Sequence, residues 1–113
     1  MRKITQLTLL STILLALLLS ACRPVTPTPP VDVPDEVETA AREHLNAETG
    51  IPVEAMEIVD AERRDWPDSC LGLAEPDEAC LTVITPGWRI TIQAEDEQYA
   101  LRTDEDGAEV RME

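Results

Sequence analysis

The sequence predicts an α+β domain: one N-terminal helix packed on an antiparallel sheet of about four strands, with a disulfide-closed loop. Three observations predict it. A 3.6-residue apolar period runs over Asp35–Thr49, and two-residue alternation takes over in the C-terminal third. Between them, Cys70 and Cys80 bracket a long stretch with neither period. The order helix, strand, long loop, three strands suits a helix laid across a sheet.

Pro34 stops the segment before the helix, Asp35 is expected to cap it, and Glu38 three residues later completes a capping-box pattern. Val37, Ala40, Ala41, His44 and Leu45 share one face, and Gly50 stands where a helix ends. That face is small, which predicts close packing on the sheet. A first strand is expected from Val53 to about Arg64. Its parity is mixed: Met56 and Ile58 claim one face, Val59 and Ala61 the other. Burial on both faces or a bulge would explain this.

The later strands alternate cleanly. Trp88, Ile90 and Ile92 interleave with Arg89, Thr91 and Gln93, while Tyr99, Leu101 and Thr103 interleave with Ala100 and Arg102. Val110 and Met112 form the last strand. "AEDEQ" and "TDEDGA" read as turns, the second with Gly107 at a positive φ. These three strands are therefore expected as an antiparallel meander.

The N-terminus reads as a targeting segment. Arg2 and Lys3 precede an apolar stretch, Leu7 to Leu19, too short for a span of about 20 residues. Leu19-Ser20-Ala21-Cys22 resembles the lipobox of bacterial lipoproteins. The resemblance implies cleavage before Cys22, a diacylglycerol on its thiol and often an acyl chain such as palmitate on its amine. Two or three chains hold a protein firmly to a bilayer. The expected location is the bacterial cell envelope, lipid-anchored, with the domain extracytoplasmic. The alternative is an ordinary secretory signal that leaves Cys22 a free thiol. The expected organisation is residues 1–21 signal peptide, 22–34 lipidated cysteine and tether, and 35–113 domain. "RPVTPTPPVDVP", residues 23–34, is an extended polyproline-II tether, about 3.1 Å per residue and roughly 35 Å long.

Removal of the signal takes two of the 9 basic residues and none of the 23 acidic ones, moving the formal charge from −14 to −16. Such a surface repels nucleic acid. It suits a basic partner or, more simply, solubility. A body of about 80 residues buries only roughly 60–65% of its unfolded surface. Phe is absent, and the aromatic residues are Trp66, Trp88 and Tyr99. A covalent staple therefore matters. In an oxidising compartment, with Cys22 assigned to lipid, Cys70 and Cys80 are expected to pair. Closing that loop is worth about 2.8 kcal/mol by chain entropy. A redox-active pair would instead favour Cys-x-x-Cys spacing.

Other chemistry has little support in the residues. Zinc needs paired Cys and His spacing, and the single histidine, His44, falls on the helix's apolar stripe as a half-buried packing residue. Asp104-Glu105-Asp106-Gly107 echoes the start of a calcium loop, but the residues after it read as strand. Ser69 has no base beside it in the sequence, and there is no glycine-rich phosphate loop. The expectation is a protein that is not an enzyme and uses no cofactor or metal. The remaining candidates form an interaction surface on the cysteine loop: Trp66, Asp68, Leu71 and Leu73. Trp88 is expected in the core. Trp66 is left between core and interface.

The element order and the ending "YALRTDEDGAEVRM" resemble cystatin-like and PepSY-type envelope modules, in which residues 66–87 have no counterpart. That resemblance implies a protease inhibitor or protease-regulating module presenting the stapled loop to an enzyme. "WPDSCLGL", the second cysteine and "ITPGWRI" are similar to segments of uncharacterised bacterial lipoproteins and imply no activity. The leading expectation is a membrane-anchored, acidic, non-catalytic module. It would bind the lipid bilayer through Cys22 and a protein or peptide partner, or another envelope component, through its domain.

Overall fold

The computed structural model describes residues 32–113. The expected signal peptide, Cys22 and most of the tether lie outside the described residues. No helix among the described residues is long and apolar enough to cross a membrane.

Helix α1 spans Asp35–Thr49. Its start differs from the capping-box expectation: Pro34 occupies the cap, and no side chain accepts a hydrogen bond there. Pro34 offers its carbonyl to Val37 and Glu38, so Asp35 is already the first helical residue. Asp35, Glu36 and Glu38 still place negative charge at the positive end of the helix dipole. Gly50 closes the helix in the left-handed conformation, φ 76°, and its N–H donates to Asn46. Val33, at the end of the expected tether, is buried with the core, so the packed body begins before residue 35.

A 3₁₀ turn, Val53–Ala55, replaces the first residues of the expected strand. Four strands follow: β1 (Met56–Trp66), β2 (Thr85–Ala94), β3 (Glu97–Asp104) and β4 (Val110–Met112). They form one antiparallel sheet in the order β1-β2-β3-β4. The mixed parity of β1 is a bulge. Ile58 pairs with Ile92 and Asp60 with Thr91, leaving Val59 without a partner. Thereafter Ala61 faces inward.

One face of the sheet carries the core. Val37, Ala41 and Leu45 of α1 bury against a layer that includes Met56, Ala61, Trp88, Ile90, Ile92, Ala94 and Leu101. Each fully buried Leu or Ile contributes about 1.5–3 kcal/mol. Trp88 stands in this layer as expected, with the Arg63 guanidinium 4.5 Å from its ring centroid. Gly107 turns β3 into β4 at φ 75°, and the backbone of Glu36 and Val37 passes so close that a Cβ there would lie 3.2–3.3 Å from it. The first turn of α1 therefore sits at the same end of the sheet as the loop joining β1 to β2.

The opposite face holds the polar set. Antiparallel register aligns Glu62, Arg89, Arg102 and Arg111 directly across the four strands. The loop after Trp66 folds onto this face.

Candidate functional site

The loop between β1 and β2, residues 67–84, is built from the inside outward. Trp66 is only 6% exposed. Its indole N–H donates to the carbonyl of Thr103 at 2.8 Å, and the Arg102 guanidinium lies 4.6 Å from its ring centroid. The main chain at Gly87 runs against Thr103: a Cβ there would lie 1.9 Å from the Thr103 oxygen. Arg102 also donates to the carbonyl of Leu71 at 2.8 Å, so one side chain stacks on the Trp and clamps the loop.

Asp68 supplies the turn. One carboxylate oxygen accepts from the N–H groups of Cys70 (2.9 Å) and Gly72 (3.0 Å). Leu71 (φ 57°) and Gly72 (φ 72°) then take consecutive left-handed conformations. That conformation is costly for leucine, about 1–2 kcal/mol; here the leucine side chain is fully buried, which offsets it. The Cys70–Cys80 disulfide closes the loop as expected, with 5.7 Å between the Cα atoms. Beside it, Ser69 and Leu81 exchange two hydrogen bonds: the Ser69 N–H donates to the Leu81 carbonyl, and the Leu81 N–H donates to the Ser69 hydroxyl.

This geometry corrects the expected interaction surface. Trp66 and Leu71 are buried inside the loop, because the indole and leucine side chains remove apolar surface from water and the indole N–H keeps an acceptor in the Thr103 carbonyl. Asp68 is consumed by the turn. Leu73 is half-buried and lines a cleft. The apolar side chains that do face out are Leu81, Val83 and Ile84, at 70%, 53% and 69% exposure. The Ser69 bonds hold this tip, a Val83 N–H bond to the Leu81 carbonyl tightens it, and the Thr85 hydroxyl donates to the Val83 carbonyl. "LTVI" reads as strand by propensity; its position directly after the half-cystine Cys80 was the available signal.

The middle of the loop crosses the edge of the sheet at β4. Arg111 grips Glu78 with two parallel bonds, Nη1 to Oε1 at 2.5 Å and Nη2 to Oε2 at 2.6 Å. The same guanidinium donates to Glu109 (2.7 Å) and to the carbonyl of Leu73 (3.2 Å). Glu113 bridges Arg89 and Arg102, offsetting the repulsion between their adjacent charges. The hydrogen bond from Arg111 holds the Glu78 carboxyl at about 2, and that from Arg89 does the same for Glu113.

Between the loop and α1 lies an open cleft of about 420 Å³. His44 and Glu48 of α1 form one wall, Leu73, Glu75 and Glu78 the other. Val110, Arg111 and Met112 form the floor. His44 is half-buried on this wall. Among the described residues, Asp68, Cys70 and Cys80 bring possible metal-ligand atoms together, but both sulfurs are committed to the disulfide.

Arginine clamps, a staple and a turn-forming aspartate thus hold a rigid loop, and the family comparison covers all of it. A family model described as a domain of unknown function, DUF8738, matches residues 38–112. The chain belongs to the DUF8738 family. The matched residues take in nearly all of α1, the whole sheet and the stapled loop of this DUF8738 domain. No curated protein and no solved structure matches it.

Proposed function

We propose that this DUF8738 protein is a bacterial envelope lipoprotein, acylated at Cys22 and carrying its domain on a proline-rich tether as a non-catalytic interaction module. The observation that carries the binding role is the apolar tip Leu81, Val83 and Ile84, which stands in water on a loop braced by a disulfide and by Ser69. Ordering a loop before binding removes an entropic cost of association. Asp77, an acid in no ion pair among the described residues, precedes the tip in sequence, and the domain as a whole is acidic. A partner with an apolar socket and a basic rim fits this pattern.

Two variants test the reading. Cys22→Ser moves the protein from the membrane to the extracytoplasmic soluble fraction; continued membrane retention contradicts the anchor. The Leu81→Asp, Ile84→Asp double variant stays folded and membrane-bound yet loses a stoichiometric partner that co-purifies with the wild type. Retention of that partner contradicts the tip.

A second reading, a protease-regulating module, draws on the position of Leu81–Ile84 between a half-cystine and a strand, with its side chains outward. Inhibition of a secreted protease at near-stoichiometric ratio would support it, and no slowing across a panel would remove it.

A further inference from the structure

The floor of the cleft is the outer edge of the sheet, and its main-chain groups have a definable direction. Asp104 N–H donates to the Glu109 carbonyl, and Glu113 N–H donates to the Ala100 carbonyl. Arg102 pairs with Arg111 between them. Hydrogen-bonded pairs alternate in an antiparallel ladder, so Arg102–Arg111 is the bonded pair. The N–H and C=O groups of Val110 and Met112 therefore point away from β3. Both residues line the cleft, and their main-chain groups have no main-chain partner among the described residues.

We propose that this cleft binds an extended basic peptide segment of a partner protein, added as a fifth strand along β4. Val110 and Met112, with Arg111 between them on an edge strand, present the donor and acceptor pattern of β-augmentation. The volume falls within the range of about 300–1,000 Å³ that ligand sites occupy. The walls choose the side chains. Glu78 and Glu109 are already bound by Arg111, whereas Glu48 on α1 and Glu75 on the loop make no ion pair among the described residues. Both line the cleft, one from the helix and one from the loop, and select lysine or arginine. Leu73 and Met112 offer apolar contact to the alternate positions. A second copy of this chain is a poor occupant, because it brings a formal charge of −14 and the same glutamate walls. The site is separate from the Leu81–Ile84 tip and does not depend on acylation of Cys22.

The test uses the ¹⁵N-labelled full chain in nanodiscs, titrated with an acetylated, amidated hexapeptide alternating lysine with valine. The amide signals of Val110 and Met112 are expected to shift and to gain protection from hydrogen exchange. A backbone N-methylated peptide of equal charge should bind roughly tenfold more weakly, since it lacks the strand's donors. Glu48→Lys with Glu75→Lys should weaken binding by roughly tenfold as well. Val110→Pro removes an outward N–H but no ladder bond, and it should weaken binding more than Val110→Ala, which trims the same core-packing side chain but keeps the N–H. Equal binding of the methylated peptide, shifts confined to residues 81–84, or no shift at all would overturn the proposal.

Discussion

The indole N–H of Trp66 donates to the main-chain carbonyl of Thr103 at 2.8 Å, tying the end of β1 to β3 across β2. The bond joins residues 37 positions apart and sets the base on which the stapled loop is built. Trp66→Phe keeps most of the apolar volume and removes the indole's bond to that carbonyl, which still faces Trp88 in the β2–β3 ladder. A loss of about 0.5–1.5 kcal/mol is expected in urea denaturation. Gly87→Ala should cost more, about 3 kcal/mol or above, because its Cβ meets the Thr103 oxygen at 1.9 Å.

The staple should act on stability rather than on chemistry. Cys70→Ser is expected to lower stability by about 3 kcal/mol. Limited proteolysis of this variant should cut within residues 71–84 before it cuts the sheet, since the Asp68 turn and the Ser69–Leu81 bonds lose their common anchor. An unchanged melting temperature would defeat the staple's structural role.

Acid should loosen the loop and the strand edge together. The ordinary carboxyl value is 4.5, and both Glu78 and Glu113 are held at about 2 in the folded protein. Carboxylates depressed by folding contribute stability that is fully present above the unfolded value and is lost as pH falls through the folded one. Stability should therefore decline between about pH 4.5 and about pH 2. Glu78→Gln and Glu113→Gln should each flatten that slope in denaturation curves measured across the range.

The regular elements were legible because each rests on a local period. Val37, Ala41 and Leu45 mark a helix face whatever lies opposite, and Trp88, Ile90 and Ile92 mark a strand face in the same way. The disulfide followed from the cysteine count. Even the bulge at Val59 showed as broken parity. The interior of the loop was not legible, because its order comes from distant partners. Trp66 is buried through Thr103, and Leu71 through a left-handed turn that Asp68 and Arg102 hold. Once those two were inside, the exposed apolar residues had to be others. The row of Glu62, Arg89, Arg102 and Arg111 likewise depends on register, which parity alone does not supply.

The stability of the domain should be indifferent to its tip. Leu81→Asp and Ile84→Asp replace side chains already in water, so each should change stability by no more than about 0.5 kcal/mol. A larger loss would mean that the tip packs on the domain.

The stapled loop is proposed to present Leu81, Val83 and Ile84 to a protein partner. Site-specific photo-crosslinking in the native envelope tests it most directly, with the reactive residue placed at Ile84 and, as a control, at Val59, which is exposed on the β1 bulge. A discrete protein adduct from position 84, absent from position 59 and lost with Leu81→Asp, is the predicted result. Adducts of equal pattern from both positions, or crosslinks to lipid alone, would contradict it.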